Sequence, residues 1–306
     1  MAQEIGDLDG VGSTTVEKIN ALGFNSLQEL AKGDASVAED SDVSISVGRL
    51  QDIIEQASAQ SIVIQTGQEV IDEYDERPFV PTGIESLDEK IGGWESRSLI
   101  AVGGKTGSGK TQVAFQALGE AVQSSGGTPA VYIETEPDRY RGKRIIDMYD
   151  EETQQKVHKV SVSGEDALDM QYRAYKAVHE QYDDVSLVVV DSFTSRFRLA
   201  TKFDGRQNLG SRNQEFSRHL QALESMAIDL ECPVLLNCQV YPSPTQYGGA
   251  NDVIYGSSLM MHMVNYVVKM SPSGGQLVNM KIQNHPEYGD FDFPVQILEE
   301  GLVDAE

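Results

Sequence analysis

Gly103-Gly104-Lys105-Thr106-Gly107-Ser108-Gly109-Lys110-Thr111-Gln112 carries the spacing G-x-x-x-x-G-K-T between an apolar run, Leu99 to Val102, and a helical pattern that starts at Thr111. A glycine-rich turn lets successive backbone N–H groups converge on phosphate oxygens without Cβ clashes, and the helix N-terminus behind it adds partial positive charge. Lys110 is then expected on the β- and γ-phosphates, and the Thr111 hydroxyl on Mg²⁺. Gly104, Gly107, Ser108, Gly109, Lys110, Thr111 and Gln112 are the loop's candidate contacts to a nucleoside triphosphate.

Three further apolar runs end in polar groups of the kind such a loop needs. Leu187-Val188-Val189-Val190-Asp191 ends in a carboxylate suited to hold a Mg²⁺ water beside Thr111, which makes Thr111 and Asp191 the candidate metal residues. Ala130-Val131-Tyr132-Ile133-Glu134-Thr135-Glu136 ends in two carboxylates, either of which could orient an attacking water; Glu136 is preferred and Glu134 is the alternative. Val234-Leu235-Leu236-Asn237-Cys238-Gln239 ends in an amide able to bond a γ-phosphate and move when it leaves. Gln239 would thus couple nucleotide state to Val240 to Tyr255, a stretch rich in Gly, Pro, Ser and Tyr.

The elements that must position these groups alternate. Strand-like runs at Ala130 to Ile133, Val157 to Val162, Leu187 to Val190 and Val234 to Leu236 are separated by helical patterns at Thr111 to Gln123, Glu165 to Gln181 and Ser211 to Leu230. This predicts an α/β core, residues 78–306, with a mostly parallel sheet. Shorter runs at Tyr266 to Met270, Val278 to Gln283 and Val295 to Leu298, with a turn cluster at Ser271 to Gly275, predict an antiparallel extension. Ahead of the core, residues 1–58 read as a small all-α module with apolar Val16, Ile19 and Leu22 at helical spacing, and residues 59–77 as an acidic linker. Within the linker, Ile62, Val63 and Ile64 either add a strand to another surface or pack on their own domain.

The formal net charge is -24, from 48 acidic and 24 basic residues. Either the protein avoids polyanions, or it works in concentrated salt, where a carboxylate surface keeps it soluble. Local charge favours the second. Arg196, Arg198, Lys202, Arg206, Arg212 and Arg218 face only Asp204 and Glu215 in sequence, and arginine suits phosphate forks and base stacking. With Gly205 and Gly210 in the stretch, a mobile polyanion-binding loop near the nucleotide edge is expected. Cys232 and Cys238 lie in an apolar segment and read as buried thiols, with neither a disulfide nor a structural zinc expected. No apolar run is long enough to span a membrane, and Met1-Ala2-Gln3-Glu4 is not followed by an export signal, so a cytoplasmic protein is expected.

In this order the motifs resemble the archaeal RadA recombinases of the RecA superfamily over nearly the whole length. The resemblance is carried by the helix-hairpin-helix-like Leu8-Asp9-Gly10-Val11-Gly12, Thr82-Gly83-Ile84-Glu85-Ser86-Leu87-Asp88, the phosphate loop, Tyr132 to Glu136, Val190-Asp191-Ser192, Gln239-Val240, and Ser195-Arg196-Phe197-Arg198 through Gly205 to Gln214 with His219-Leu220. It implies a RecA-like P-loop ATPase core, ATP with Mg²⁺, and a homo-oligomeric filament or ring. Its partners would be single- and double-stranded DNA, which the filament pairs by homology. Carried over, Lys110, Glu136 and Gln239 are catalytic, Asp191 and Arg141 join the nucleotide contacts, and Arg198, Arg206, Arg212 and Tyr247 bind DNA. The N-terminal module, with Lys18, Lys32 and Arg49 against eleven acidic residues, either contacts DNA or serves packing and partner docking. Departures include Lys105 where an acidic residue is expected, Pro137, Ser257-Ser258, Asn284, and Ile64 in place of a docking phenylalanine. These mark either a divergent salt-adapted recombinase or a paralogue that loads another recombinase. A signalling ATPase of the hexameric circadian-clock type shares the phosphate loop but would leave the arginine stretch unexplained.

Overall fold

The computed structural model describes residues 5–31, 33–39, 41–60, 65–164, 166–200, 203, 208–244 and 250–305. The chain divides into two compact units, Met1–Glu76 and Arg77–Glu306. In the first, α1 (Ser13–Ala21), α2 (Leu27–Ala31) and α3 (Val47–Gln60) bury Ile19, Leu30, Leu50, Ile53 and Ala57 together with Leu8 and Val11. Two of its basic residues are spent on backbone: Arg49 donates to the Gly10 carbonyl and Lys18 Nζ to Ser44 O, both at 2.8 Å.

The second unit opens with β1 (Phe79–Val80), α5 (Glu85–Ile91) and β2 (Trp94–Glu95), then continues β3 (Leu99–Gly104), α6 (Lys110–Ser124), β4 (Ala130–Glu134), α7 (Gly142–Met148), α8 (Glu151–Gln155), β5 (Val157–Ser161), α9 (Ala167–Gln181), β6 (Leu187–Asp191), α10 (Ser195–Leu199), α11 (Leu209–Asp229), β7 (Val234–Pro244), β8 (Ala250–Ile254), α12 (Ser257–Met263), β9 (Tyr266–Gly274), β10 (Leu277–His285), β11 (Gly289–Leu298) and β12 (Gly301–Asp304). The large sheet runs β12-β11-β10-β9-β3-β7-β6-β4-β5, with β8 paired to β7. From β9 to β5 every pairing is parallel, and β10, β11 and β12 extend it antiparallel.

Both faces of the inner parallel strands β3, β4, β6 and β7 are covered, which is why these are apolar runs, whereas the edge strand β5 carries exposed His158 and Lys159. Ile100, Val102, Tyr132, Leu187 and Val189 pack with Phe115 and Leu118 of α6 on one face. Leu99, Ala101, Val131, Ile133, Val188 and Val190 pack with Tyr175 of α9 and Phe216, Leu220 and Leu223 of α11 on the other. The alternation brings the C-terminal ends of β3, β4, β6 and β7, with their polar residues, to one edge.

Four expectations change. Within residues 59–77, Gly67–Asp75 forms a helix, α4, started by a reciprocal cap between Thr66 and Glu69. The Ser271–Gly275 stretch is not a turn cluster throughout, since β9 pairs with β10 as far as Gly274. Beyond Met270 it has left β3, and Pro272 is tolerated on that free edge. Much of Val240 to Tyr255 is a β-hairpin arm, with Val240 opposite Ile254 and Tyr241 opposite Val253. The arginine stretch is not one loop: Arg196 and Arg198 ride on α10, Arg212 and Arg218 on α11. Arg206 and Tyr247, like Ile62, Val63, Ile64 and Lys202, lie outside the described residues.

Candidate nucleotide site and its DNA-side neighbours

The loop between β3 and α6 is built as its glycines require. Gly107 and Gly109 have φ of 81° and 97°, a region that favours glycine. A Cβ on Gly104 would stand 2.2 Å from Ser108 Oγ and 2.8 Å from the Met270 carbonyl. Ser108 is fully buried and its Oγ has no hydrogen-bond partner among the described residues. Lys110 Nζ donates to the carbonyls of Gly104 and Lys105, at 2.8 and 2.9 Å. Burial lowers the Lys110 pKa, opposed by the nearby Asp191 and Glu136 carboxylates. Gln112, the third residue of α6, accepts from Arg144 Nε at 2.7 Å; Arg144 also donates to the Leu298 and Glu299 carbonyls, tying the end of β11 to α6.

Asp191 Oδ2 accepts from Thr111 Oγ1 and from Tyr132 OH, both at 2.9 Å. Burial and the Asp191 carboxylate push the Tyr132 hydroxyl well above its usual pKa, so it remains a donor. The two expected metal residues are therefore adjacent, and an oxygen pair of this kind fits a hard cation that keeps water and phosphate ligands. Among the described residues, no cluster of three or more His, Cys, Asp or Glu could hold a metal ion.

The two carboxylates after β4 have different surroundings. Glu134 is buried; its Oε1 accepts from the Arg139 and Tyr140 N–H groups at 2.9 Å each, and its Oε2 from Lys159 Nζ at 2.8 Å. Burial would raise its pKa, but Lys159 and the two N–H groups outweigh that and hold the carboxyl below the ordinary range. Glu134 thus folds the turn 135–140 and is committed to it. Glu136, carried by that turn, lines a cleft of about 460 Å³ with Arg139, Ser195, Arg196, Arg198 and Gln239. Its Oε1 accepts from Gln239 Nε2 at 2.9 Å and its Oε2 from Arg139 Nε at 3.1 Å.

Strand ends are locked to one another. The Thr135 hydroxyl donates to Ser192 O and accepts from Ser192 N, and Gln239 N donates to Thr194 Oγ1 at 2.9 Å. The ends of β4, β6 and β7 are therefore tied into one frame. Over residues 77–305, which hold this sheet and the loop after β3, the sequence matches the Rad51 family.

The chain belongs to the Rad51 family. Rad51-family proteins are RecA-like recombinases that bind ATP, use Mg²⁺, act on DNA and form oligomeric filaments. In this Rad51-family chain the arginines group differently from the sequence expectation. Arg198 is exposed and lines the cleft beside Glu136. Arg212 stacks on the Tyr255 ring at 5.5 Å and donates to its hydroxyl at 3.4 Å. Arg218 instead lies 3.7 Å over the Tyr172 ring and pairs with Glu215, and Arg196 donates to Val162 O. The four described arginines are thus split between the cleft and their own protein. Arg141 is exposed at the start of α7 and donates to Tyr140 O.

Sequence reasoning missed Tyr132, Thr135, Arg139, Thr194 and Lys159 as the groups that hold the site. Only Arg139, three residues beyond Glu136, left a local signal. The others act through pairings between strands distant in sequence, as Tyr132 does on Asp191 and Lys159 on Glu134.

Proposed function

We propose that this chain is an ATP-hydrolysing recombinase that assembles as a homo-oligomeric filament on single-stranded DNA and pairs it with a homologous duplex. The observation that carries the reading is the Gln239–Glu136 hydrogen bond, 2.9 Å, which joins the residue best placed to orient water to the base of the β7–β8 hairpin. Gly104, Gly107, Ser108 and Gly109 cradle phosphates, Lys110 and Gln112 complete the loop, and Thr111 with Asp191 would hold Mg²⁺, which would supply charge to offset that of the phosphate oxygens.

Glu136 accepts the proton of the attacking water, since Glu134 is already committed to the turn. Tyr132 keeps Asp191 oriented by donating to it. Gln239 exchanges its hydrogen bond to Glu136 for one to phosphate, and the change passes along β7. Arg198, Arg206, Arg212 and Tyr247 form the DNA surface, and Arg141 is the further nucleotide contact. The cell location that fits this work is the cytoplasm, and the excess of carboxylates fits concentrated salt. For the helix-hairpin-helix-like N-terminal unit we favour packing or partner docking over DNA contact, because Lys18 and Arg49 are engaged by its own backbone.

A second reading, a paralogue that binds ATP and loads another recombinase, draws support from Arg196 and Arg218 being engaged within the protein. ATP turnover by wild type and Lys110→Ala in multimolar KCl, with and without single-stranded DNA, separates the two when followed by imaging. DNA-stimulated turnover with filaments supports the recombinase. Turnover indifferent to DNA, with no filaments, refutes it.

A further inference from the structure

Lys105 is the residue of the phosphate loop that the triphosphate chemistry does not absorb, and the structure gives it a partner. Its Nζ lies 3.0 Å from Asp252 Oδ2, on β8. Its carbonyl, at the same time, accepts from Lys110 Nζ at 2.9 Å. One residue therefore touches the phosphate-binding lysine through its backbone and the β7–β8 hairpin through its side chain.

A second contact runs alongside. Ile254 of β8 lies over Gly103, so closely that a Cβ there would come within 2.5 Å of Ile254 Cδ1. The end of β3 and the start of the phosphate loop thus hold β8 at two points, one apolar and close-packed, one ionic and exposed. Asp252 stands opposite Pro242 on β7, three residues past Gln239. The close-packed contact fixes where β8 sits, and the ion pair is the part free to respond.

We infer that Lys105 and Asp252 form a tether that couples the phosphate loop directly to β8, as a second line to the hairpin beside Gln239. The inference rests on the triphosphate reading of the loop. Phosphate oxygens compete for the Lys110 ammonium, and Lys110 then releases the Lys105 carbonyl, whose turn is exposed and can readjust. The Lys105 side chain passes that adjustment to Asp252. Lys105 and Asp252 are positioning residues, neither touching the reacting atoms.

The test is amide hydrogen exchange across residues 250–255 with and without a non-hydrolysable ATP analogue, in wild type, Lys105→Glu, Asp252→Lys and the charge-swapped double variant. It is run at the lowest KCl that keeps the chain folded, because salt screens an exposed pair. Melting temperatures confirm that each variant folds, and a fluorescent analogue confirms that each binds nucleotide. Wild type is expected to change its exchange rate in this segment about two-fold or more on binding the analogue, each single variant to lose most of that response with only the part carried through Gln239 remaining, and the double variant to regain it. In parallel, the gain in single-stranded DNA affinity caused by nucleotide should fall about three-fold in the single variants, as expected for a surface ion pair, and recover in the double. The inference is overturned if nucleotide-bound wild type shows no change in 250–255, if the single variants respond as wild type does, or if the double variant fails to recover. If wild type binds nucleotide but not DNA, the recombinase reading fails while the exchange measurement still decides the tether. If wild type binds no nucleotide, both fall.

Discussion

Glu134→Gln isolates the group that shapes the turn carrying Glu136. In the wild type, Oε1 takes the Arg139 and Tyr140 N–H groups, and Oε2 takes Lys159 Nζ at 2.8 Å with Ser161 Oγ at 3.4 Å. A glutamine retains an acceptor for the two N–H groups but turns an NH₂ toward the Lys159 ammonium. One charge-assisted hydrogen bond is lost, about 1.5–3 kcal/mol; Lys159 is 38% exposed, so water recovers part of it and about 2 kcal/mol is expected. For a unit of this size that lowers Tm by about 4–8 °C. The carboxyl pKa is depressed in the folded state, so its stabilisation is fully present above the unfolded value, about 4.3, and is lost as pH falls through the folded value. Thermal unfolding of wild type and Glu134→Gln between pH 3.5 and 8 should give a constant difference above pH 5 that narrows on acidification. A Lys159→Met cycle should return a coupling of about 1–2 kcal/mol. Turnover should fall about ten-fold with KM nearly unchanged, because a misplaced Glu136 orients water less well. Equal melting temperatures, or a difference independent of pH, would refute the assignment of Glu134 as the turn's anchor.

Three further outcomes are expected. Glu136→Gln should lower turnover about 10²–10⁴-fold while a fluorescent triphosphate still binds within about three-fold of wild type; unchanged turnover would remove Glu136 from the chemistry. Gly103→Ala should cost about 1–3 kcal/mol by forcing a methyl against Ile254, and calorimetry should find part of that recovered in Gly103→Ala with Ile254→Val. Arg198→Ala should weaken single-stranded DNA binding and reduce the slope of log affinity against log salt by about 0.7, as for one phosphate contact, whereas a slope equal to wild type would place Arg198 outside the interface.

What was legible in the sequence follows from where the information is local. Leu99 to Val102 and Leu187 to Val190 are buried on both faces, so an unbroken apolar run was enough to find β3 and β6. The phosphate loop was legible because its glycines answer a backbone demand, seen at Gly107 and Gly109. The cap of α4, Thr66-x-x-Glu69, was readable too, but the acidic run after it, Asp72 to Glu76, disguised it as linker. What could not be read was which partner each charged group would find. Glu134 and Glu136 look alike in sequence, and only the register that brings β5 alongside β4 delivers Lys159 to the first of them. Arg218 and Arg212 lie on one helix, yet Tyr172 takes one and Tyr255 the other.

The partners found in this way bear on how the site responds. Lys110 is satisfied by the Gly104 and Lys105 carbonyls, and Glu136 by Gln239 and Arg139. Neither group waits unpaired for its task, so binding a triphosphate exchanges hydrogen bonds rather than adding them. The net energy of such an exchange is small, because charged groups trade one set of polar partners for another. What differs is the identity of the groups released. Lys110 releases a carbonyl whose residue is paired with Asp252, and Glu136 releases an amide that belongs to β7. Both released groups lead to the same hairpin, so on the proposed reading its position, more than the strength of any one contact, is what nucleotide occupancy changes. A lysine at position 105 makes sense there: an acidic residue facing Asp252 would repel β8 from the loop that it must follow.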